Sequence, residues 1–350
     1  MPKEKALTKN SSESKKSGEK IARSGKGARK AAAPPSGKLR RADKVAPPSP
    51  RKEPTKPLFD AASRLAKQLD IGAVFVYAQN LTTNPEFLQV FPNETTPILV
   101  VKNDEEEEAC RGFARNVIRV PDVNLSRMDQ VKLAVVIGLT EGVLGVGDRI
   151  LCLVGRVDRA IADTLVLLDV GEEFETMNMH GQLVGTQEID SKVFEATLTM
   201  ALEMANEGRE GYPIGTIFVI GDIQEVLRYS RQMIINPFQG HPESKRNIMD
   251  PKLRETVKGF SSLDGALVIR KDGVLVAAGR HLNAAYDGDA LPPGLGARHA
   301  AAAAITAVTQ ALALTISAST GTVTIFREGK VIMTLERFRP APSLTDAPLD

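Results

Sequence analysis

Apolar runs of strand length, separated by stretches with helical spacing, constrain this chain more than any other feature. Residues 73–78 (Ala-Val-Phe-Val-Tyr-Ala), 97–101, 150–154 and 165–170 are nearly unbroken hydrophobic segments of five or six residues. Such runs, without polar alternation, suit strands buried on both faces. Between them, residues 59–69 put Phe59, Ala62, Leu65, Ala66 and Leu69 on one helical stripe. Residues 126–140 read as a second helix, with Ser126 and Asp129 suited to its N-terminal cap. This alternation implies a sheet covered by helices on both sides, so residues 58–185 are expected to form an α/β layered domain.

A polar, glycine-containing stretch at 177–190 reads as a connection. Beyond it Phe194, Leu198, Ala201, Leu202 and Ala205 share a helical face, and Gly208 provides a C-terminal stop. Strands are expected at 216–220, 265–270, 274–279, 313–317 and 322–327, with a helix at 300–311. Lys271-Asp272-Gly273 and Glu328-Gly329-Lys330 read as hairpin turns. Hairpins combined with crossovers predict a second α/β domain with a mixed sheet at 190–337, followed by a short tail at 338–350. Two domains are also what 350 residues suggest.

The net charge of +2 hides a segregation. Residues 1–57 hold 17 Lys and Arg against 5 Asp and Glu, no aromatic residue, and much Ser, Ala, Gly and Pro. Such a segment cannot bury enough apolar area to offset its ordering entropy, so a disordered tail is expected: either a solvating segment, one that folds back weakly on an acidic body, or one that makes loose, salt-sensitive contact with nucleic acid or another polyanion. The remainder carries a net −10. Two cysteines, Cys110 and Cys152, exclude a disulfide framework and a four-cysteine zinc site. No window approaches eighteen apolar residues, which argues against a membrane helix, and the N-terminus lacks the apolar core of a secretory signal. A cytoplasmic protein is expected.

Three segments carry chemistry. Asp264-Gly265-Ala266 opens an apolar strand. A carboxylate there can hold a divalent cation or accept a hydroxyl proton, and the glycine lets a ligand approach the backbone. The bland alternative is an Asp-Gly turn. Pro292-Pro293-Gly294-Leu295-Gly296-Ala297-Arg298-His299 is a glycine loop entering an alanine-rich helix. Free N–H groups at such a helix start favour phosphate, and Arg298 adds a fork of donors. A cation in the first turn is electrostatically misplaced unless an anion joins it. Its bland alternative has Arg298 paired with a carboxylate and His299 packed beneath the loop. Ser317-Ala318-Ser319-Thr320-Gly321 is either a hydroxyl-lined phosphate site or a tight turn. The loop Leu144-Gly145-Val146-Gly147-Asp148 precedes a strand and lacks the context of a dinucleotide fingerprint, so it reads as structural. Residue chemistry alone reaches a metal-assisted nucleotide or phosphate site.

Taken in order, these segments resemble the diadenylate cyclase domain, which makes cyclic di-AMP. Residues 215–222, Asn236-Pro237-Phe238 and residues 255–260 resemble its archaeal-type branch, and the likeness runs over about 190–337. The first domain is similar to the pyruvate-kinase C-terminal-like domain of that branch. The resemblance implies condensation of two ATP at the interface of two facing domains, with Mn2+ or Mg2+ as cofactor and self-association required. By position it implies catalytic roles for Asp264, Arg298 and His299, with Asp264 and His299 at the metal. It implies ATP contacts from Gly265, Ala266, Leu282, Gly296, Ala297, Ser317, Ser319 and Thr320. The chain carries Ala297 where the family often has Thr, Ala300 in place of a second Arg, and Ala318 and Ser319 where many relatives are acidic. The alternative expectation is a degenerate cyclase that senses nucleotide without turnover.

Overall fold

The computed structural model describes residues 54–81, 85–110, 112–113, 116–156, 161–171, 189–208, 214–285 and 295–336. The basic stretch before residue 54, most of the expected connection and the tail from 337 lie outside the described residues.

The first domain is a five-stranded sheet in the order β3-β2-β1-β4-β5. Its strands are β1 (Ala73–Tyr77), β2 (Thr96–Val101), β3 (Asn116–Arg119), β4 (Arg149–Arg156) and β5 (Ile161–Asp169). The first four are parallel, while β5 returns antiparallel along β4. Alternate side chains of one strand face opposite layers. Val74 and Val76 pack with Phe59, Ala62 and Ala66 of α1 (Thr55–Gln68). Phe75 and Tyr77 pack on the other side with Val131, Ala134 and Val135 of α3 (Arg127–Thr140). The sheet is therefore covered on both faces over β1, β2 and β4, as the apolar runs predict, whereas β5, at the sheet edge, is largely half-buried with Leu167 exposed. Helix α1 begins at Thr55, three residues ahead of the expected onset at 58, and Thr55 is itself buried. Leu69 caps that helix and is exposed, so the apolar stripe ends one turn earlier than predicted. Strand β3 and the short acidic helix α2 (Asp104–Ala109) have no counterpart in the sequence reading, because β3 buries only Ile118 and so shows no apolar run.

At the start of α3, Ser126 Oγ accepts from the Asp129 N–H at 3.2 Å and donates to Asp129 Oδ2 at 2.6 Å, the predicted cap. The 144–148 loop is closed by Asp148, whose carboxylate accepts from the Gly145 N–H at 2.7 Å. Both cysteines are buried, and burial pushes their thiols above the ordinary range.

The second domain opens with α4 (Ser191–Glu207), capped by Asp190 and stopped at Gly208. Its elements are β6 (Thr216–Ile220), α5 (Ile223–Arg228), β7 (Ser230–Gln232), α6 (Arg254–Phe260), β8 (Ala266–Ile269), β9 (Leu275–Leu282), α7 (Ala297–Val308), β10 (Leu312–Ile316), β11 (Val323–Arg327) and β12 (Lys330–Leu335). The sheet order is β12-β11-β10-β6-β8-β9-β7, with β6 and β8 parallel and the other pairs antiparallel. The expected mixed sheet is present. Glu328 and Gly329 both have positive φ, 50° and 75°, which a two-residue hairpin turn between twisted strands requires. Helix α7 starts at Ala297 rather than 300, so Arg298 and His299 lie in its first turn. Edge strand β7, of sequence Ser-Arg-Gln, carries no apolar signal and went unpredicted.

Helix α7 packs Ala302, Ala303 and Ile305 on Ile217, Val219 and Phe326. On the opposite face, Phe194 and Leu198 of α4 join Phe218, Ile220 and Leu314. That layer is continuous with the α3 layer of the first domain, so the two sheets share one apolar core.

Candidate functional site: a cavity at the start of α7

The C-terminal end of β10, the loop after it, β11, β12 and the start of α7 enclose a cavity of about 750 Å³. That size lies within the range of small-molecule sites. Its walls include Asp264, Gly296, Ala297, Arg298, His299 and the loop Ser317–Thr320. Segments 53 residues apart in sequence, from Asp264 to Ser317, therefore meet at one place.

Each wall has a local cause. Gly296 caps α7 with extended backbone and no side-chain cap, leaving the first N–H groups of the helix without that partner. Arg298 follows in the first turn, half-buried, with Nη2 at 4.0 Å from Asp264 Oδ1. Its misplaced charge thus has a carboxylate near it, at the outer limit of an ion pair, while the Asp264 side chain remains 86% exposed. Gly215, just before β6, makes room for that arginine: a Cβ there would stand 2.8 Å from Arg298 Nη1 and 2.8 Å from Ala318 Cβ.

His299 faces inward and is 6% exposed, edge-on to Phe326 with ring centroids 6.0 Å apart. Burial holds its imidazole below the ordinary histidine range, hence neutral at pH 7. Its Nε2 is buried and has no hydrogen-bond partner. His299 thus packs on Phe326 and also stands on the cavity wall, while residues 292–294 of the loop before it lie outside the described residues.

The serine loop is a tight turn with its hydroxyls on one side. Ser317 N–H donates to the Thr322 carbonyl at 2.9 Å, and Gly321 N–H to the Ser317 carbonyl at 2.9 Å. Gly321 has φ of 69°, which a residue with a side chain seldom adopts. Ser317 Oγ lies 3.2 Å from Ser319 Oγ, and Thr320 Oγ1 donates to Thr322 Oγ1 at 2.7 Å. The expected tight turn is present, and its hydroxyls lie on the cavity wall.

Gly265, Ala266 and Leu282 stand outside the cavity wall. Ala266 and Leu282 are buried among the apolar residues beneath α7. Gly265 (φ 103°) lies against β9, where a Cβ would meet Arg280 N at 2.8 Å and the Gly279 carbonyl carbon at 2.8 Å. Its glycine is explained by backbone contact between strands. Conversely, Thr322, Thr324, Val331, Thr334 and Glu336 line the cavity without having been singled out. They lie in or next to β11 and β12, whose alternation reads as ordinary sheet, and only the pairing of these strands beside β10 brings them here.

For a divalent cation the wall offers the Asp264 carboxylate and the neutral, unpartnered imidazole of His299. Glu336 brings a second carboxylate to the same wall; oxygen and nitrogen donors of these kinds suit a divalent cation, while His299 Nε2 is itself buried. Among the described residues no three His, Cys, Asp or Glu side chains gather as a metal cluster. Among those same residues, no helix is long and apolar enough to cross a membrane.

Residues 203–331 match the family described as DisA bacterial checkpoint controller nucleotide-binding, and residues 55–177 match a probable sensor domain, DacZ_P. A diadenylate cyclase from Methanocaldococcus jannaschii is 40% identical over 170 residues, 49% of this chain and 54% of that protein. The chain thus spans about half the length of that relative. A diadenylate cyclase from Haloferax volcanii is 30% identical over 267 residues, 76% of this chain and 94% of that protein. Matched to this degree over nearly the whole of a relative, the chain belongs to the diadenylate cyclase family.

Proposed function

We propose that this protein condenses two ATP into cyclic di-AMP with release of two pyrophosphates. The meeting of Asp264, Arg298 and the Ser317 loop in one nucleotide-sized cavity is the observation that supports this reading. In each half-reaction a ribose 3′-oxygen forms a bond to the α-phosphorus of the other ATP. The bond from that phosphorus to the bridging oxygen breaks, pyrophosphate leaves, and the hydroxyl proton passes to solvent. Phosphoryl chemistry of this kind depends on in-line placement and charge neutralisation.

In this reading Arg298 and the amide groups at the start of α7 grip the phosphates, joined by the hydroxyls of Ser317, Ser319 and Thr320. Gly296 and Ala297 leave that approach open. Gly265, Ala266 and Leu282 shape the nucleotide side from behind. Asp264 stands beside the attacking hydroxyl. Asp264 and His299 would hold a Mn2+ or Mg2+ ion, which supplies Lewis-acid activation of the hydroxyl and neutralises developing charge. One such cavity presents one ATP, so two copies face each other and self-association is part of catalysis. The enzyme is read as cytoplasmic and of the archaeal-type branch, with a pyruvate-kinase C-terminal-like first domain and a basic tail that makes weak polyanion contacts.

Incubating the purified chain with ATP and Mn2+ and following cyclic di-AMP by mass spectrometry tests the reading. Tight ATP binding without product would favour a nucleotide sensor. Ala318 and Ser319, which bring no carboxylate to the cavity wall, support that second reading.

A further inference from the structure

Two wall residues of the cavity are held by the first domain. Thr334 and Glu336 line the cavity at the end of β12. The Glu336 N–H donates to Asp129 Oδ2 at 3.3 Å, and Lys132 Nζ donates to the Thr334 carbonyl at 3.2 Å. Lys132 also pairs with Asp129 Oδ1 at 2.8 Å. Asp129 and Lys132 both lie in the first two turns of α3, more than 200 positions earlier in the chain. The Asp129 side chain is 4% exposed. Its carboxylate accepts from the Ser126 hydroxyl, the Lys132 ammonium and the Glu336 amide, so its lone pairs are well used.

The same turn is tied to the first sheet. Gln130, between these two residues, accepts at its carbonyl from the Tyr77 hydroxyl at 2.7 Å. Gln130 Nε2 donates to the carbonyls of Leu125 at 3.2 Å and Gly155 at 3.1 Å. Tyr77 ends β1 and Gly155 lies near the end of β4. Those are the two strands between which the order of the sheet reverses, since β2 and β3 extend to one side and β4 to the other. The carboxyl ends of strands at such a reversal are where open α/β sheets bind ligands.

We propose that Asp129 and Lys132 are positioning residues through which the first domain sets the affinity of the cavity for ATP. They fix where Thr334 and Glu336 stand, and Gln130 makes that placement sensitive to the carboxyl ends of β1 and β4. The proposal rests on the nucleotide reading of the cavity. The α3 turn with its bonded neighbours is the link, and coupling between sites spans about fivefold to a hundredfold in affinity.

The test uses the full chain and two readouts, KM for ATP in cyclic di-AMP formation and Kd for α,β-methylene ATP, which cannot react at the scissile bond. Lys132→Met should raise both by about tenfold, with kcat within about twofold of wild type. Tyr77→Phe, which cuts the bond to Gln130, should raise both in the same direction and add little in the Lys132→Met background. Thr140→Val removes another bond between the domains, from Thr140 Oγ1 to Glu195 Oε1 at 3.1 Å, away from the cavity wall. It should leave both readouts unchanged. An unchanged Kd in Lys132→Met, or an equal shift in Thr140→Val, overturns the proposal. If Lys132→Met does not fold, Tyr77→Phe against Thr140→Val decides by the same criterion. A wild-type chain that binds the analogue and makes no cyclic di-AMP overturns the cyclase reading instead, and the coupling is then judged on Kd alone.

Discussion

Arg298 lies over Gly215: a Cβ on that glycine would stand 2.8 Å from the guanidinium Nη1. The glycine has no positive φ, so its role is space and not backbone freedom. Gly215→Ala should therefore displace both Arg298 and the Ala318 stretch of the serine loop, whose Cβ would also stand 2.8 Å away. A shift of about 1 Å in a phosphate-gripping group lowers turnover by roughly tenfold to a hundredfold. Steady-state kinetics beside a melting curve checks this. Full activity in a stable Gly215→Ala protein would mean the arginine has another place to go.

Asp264→Asn keeps the shape of the side chain and removes its charge. On the proposed mechanism, product should fall by about a hundredfold or more with an unchanged circular dichroism spectrum. Activity within about threefold of wild type, under ~0.7 kcal/mol of barrier, would take Asp264 out of the reaction.

Its neighbour should behave in the opposite way. Gly265→Ala drives a methyl group into the β9 backbone, with contacts at 2.8 Å, 2.8 Å and 2.9 Å, at φ of 103°. The expected outcome is a loss of stability of about 2–4 kcal/mol, measured by urea unfolding. A neutral result would require β8 and β9 to separate without penalty.

If each reaction needs two facing domains, specific activity should fall on dilution through the pairing equilibrium. Mixing an Asp264→Asn chain with an Arg298→Ala chain should leave a linear adenylylated intermediate, because a mixed pair completes at most one bond well. Concentration-independent activity from a monomer shown by sedimentation would point to a single-site transferase.

Removing residues 1–53 should leave cyclase activity and melting temperature nearly unchanged while weakening salt-sensitive binding to polyanions. Removing four more residues should lower the melting temperature, since Thr55 is buried in the first turn of α1. Equal melting temperatures for the two truncations would count against that turn's contribution.

Much was legible in the sequence because it rests on local rules. Apolar runs marked β1, β2, β4 and β6, buried along nearly their whole length. Ser126 announced a helix start, and Gly208 and Gly329 announced a stop and a turn. An arginine misplaced in the first turn of a helix drew attention to Arg298, which lines the cavity. The remainder was decided by packing. Strands β3 and β7 pair at sheet edges through backbone groups, which no side-chain pattern announces. The β9 backbone against Gly265 gives that glycine a packing reason that its Asp-Gly context does not announce. Thr334 and Glu336 reach the cavity because β12 closes the sheet, and Asp129 meets them because α3 lies across both domains. Spacing along the chain reports a helix turn or a strand pleat; contact across 207 positions exists only once the two sheets share a core.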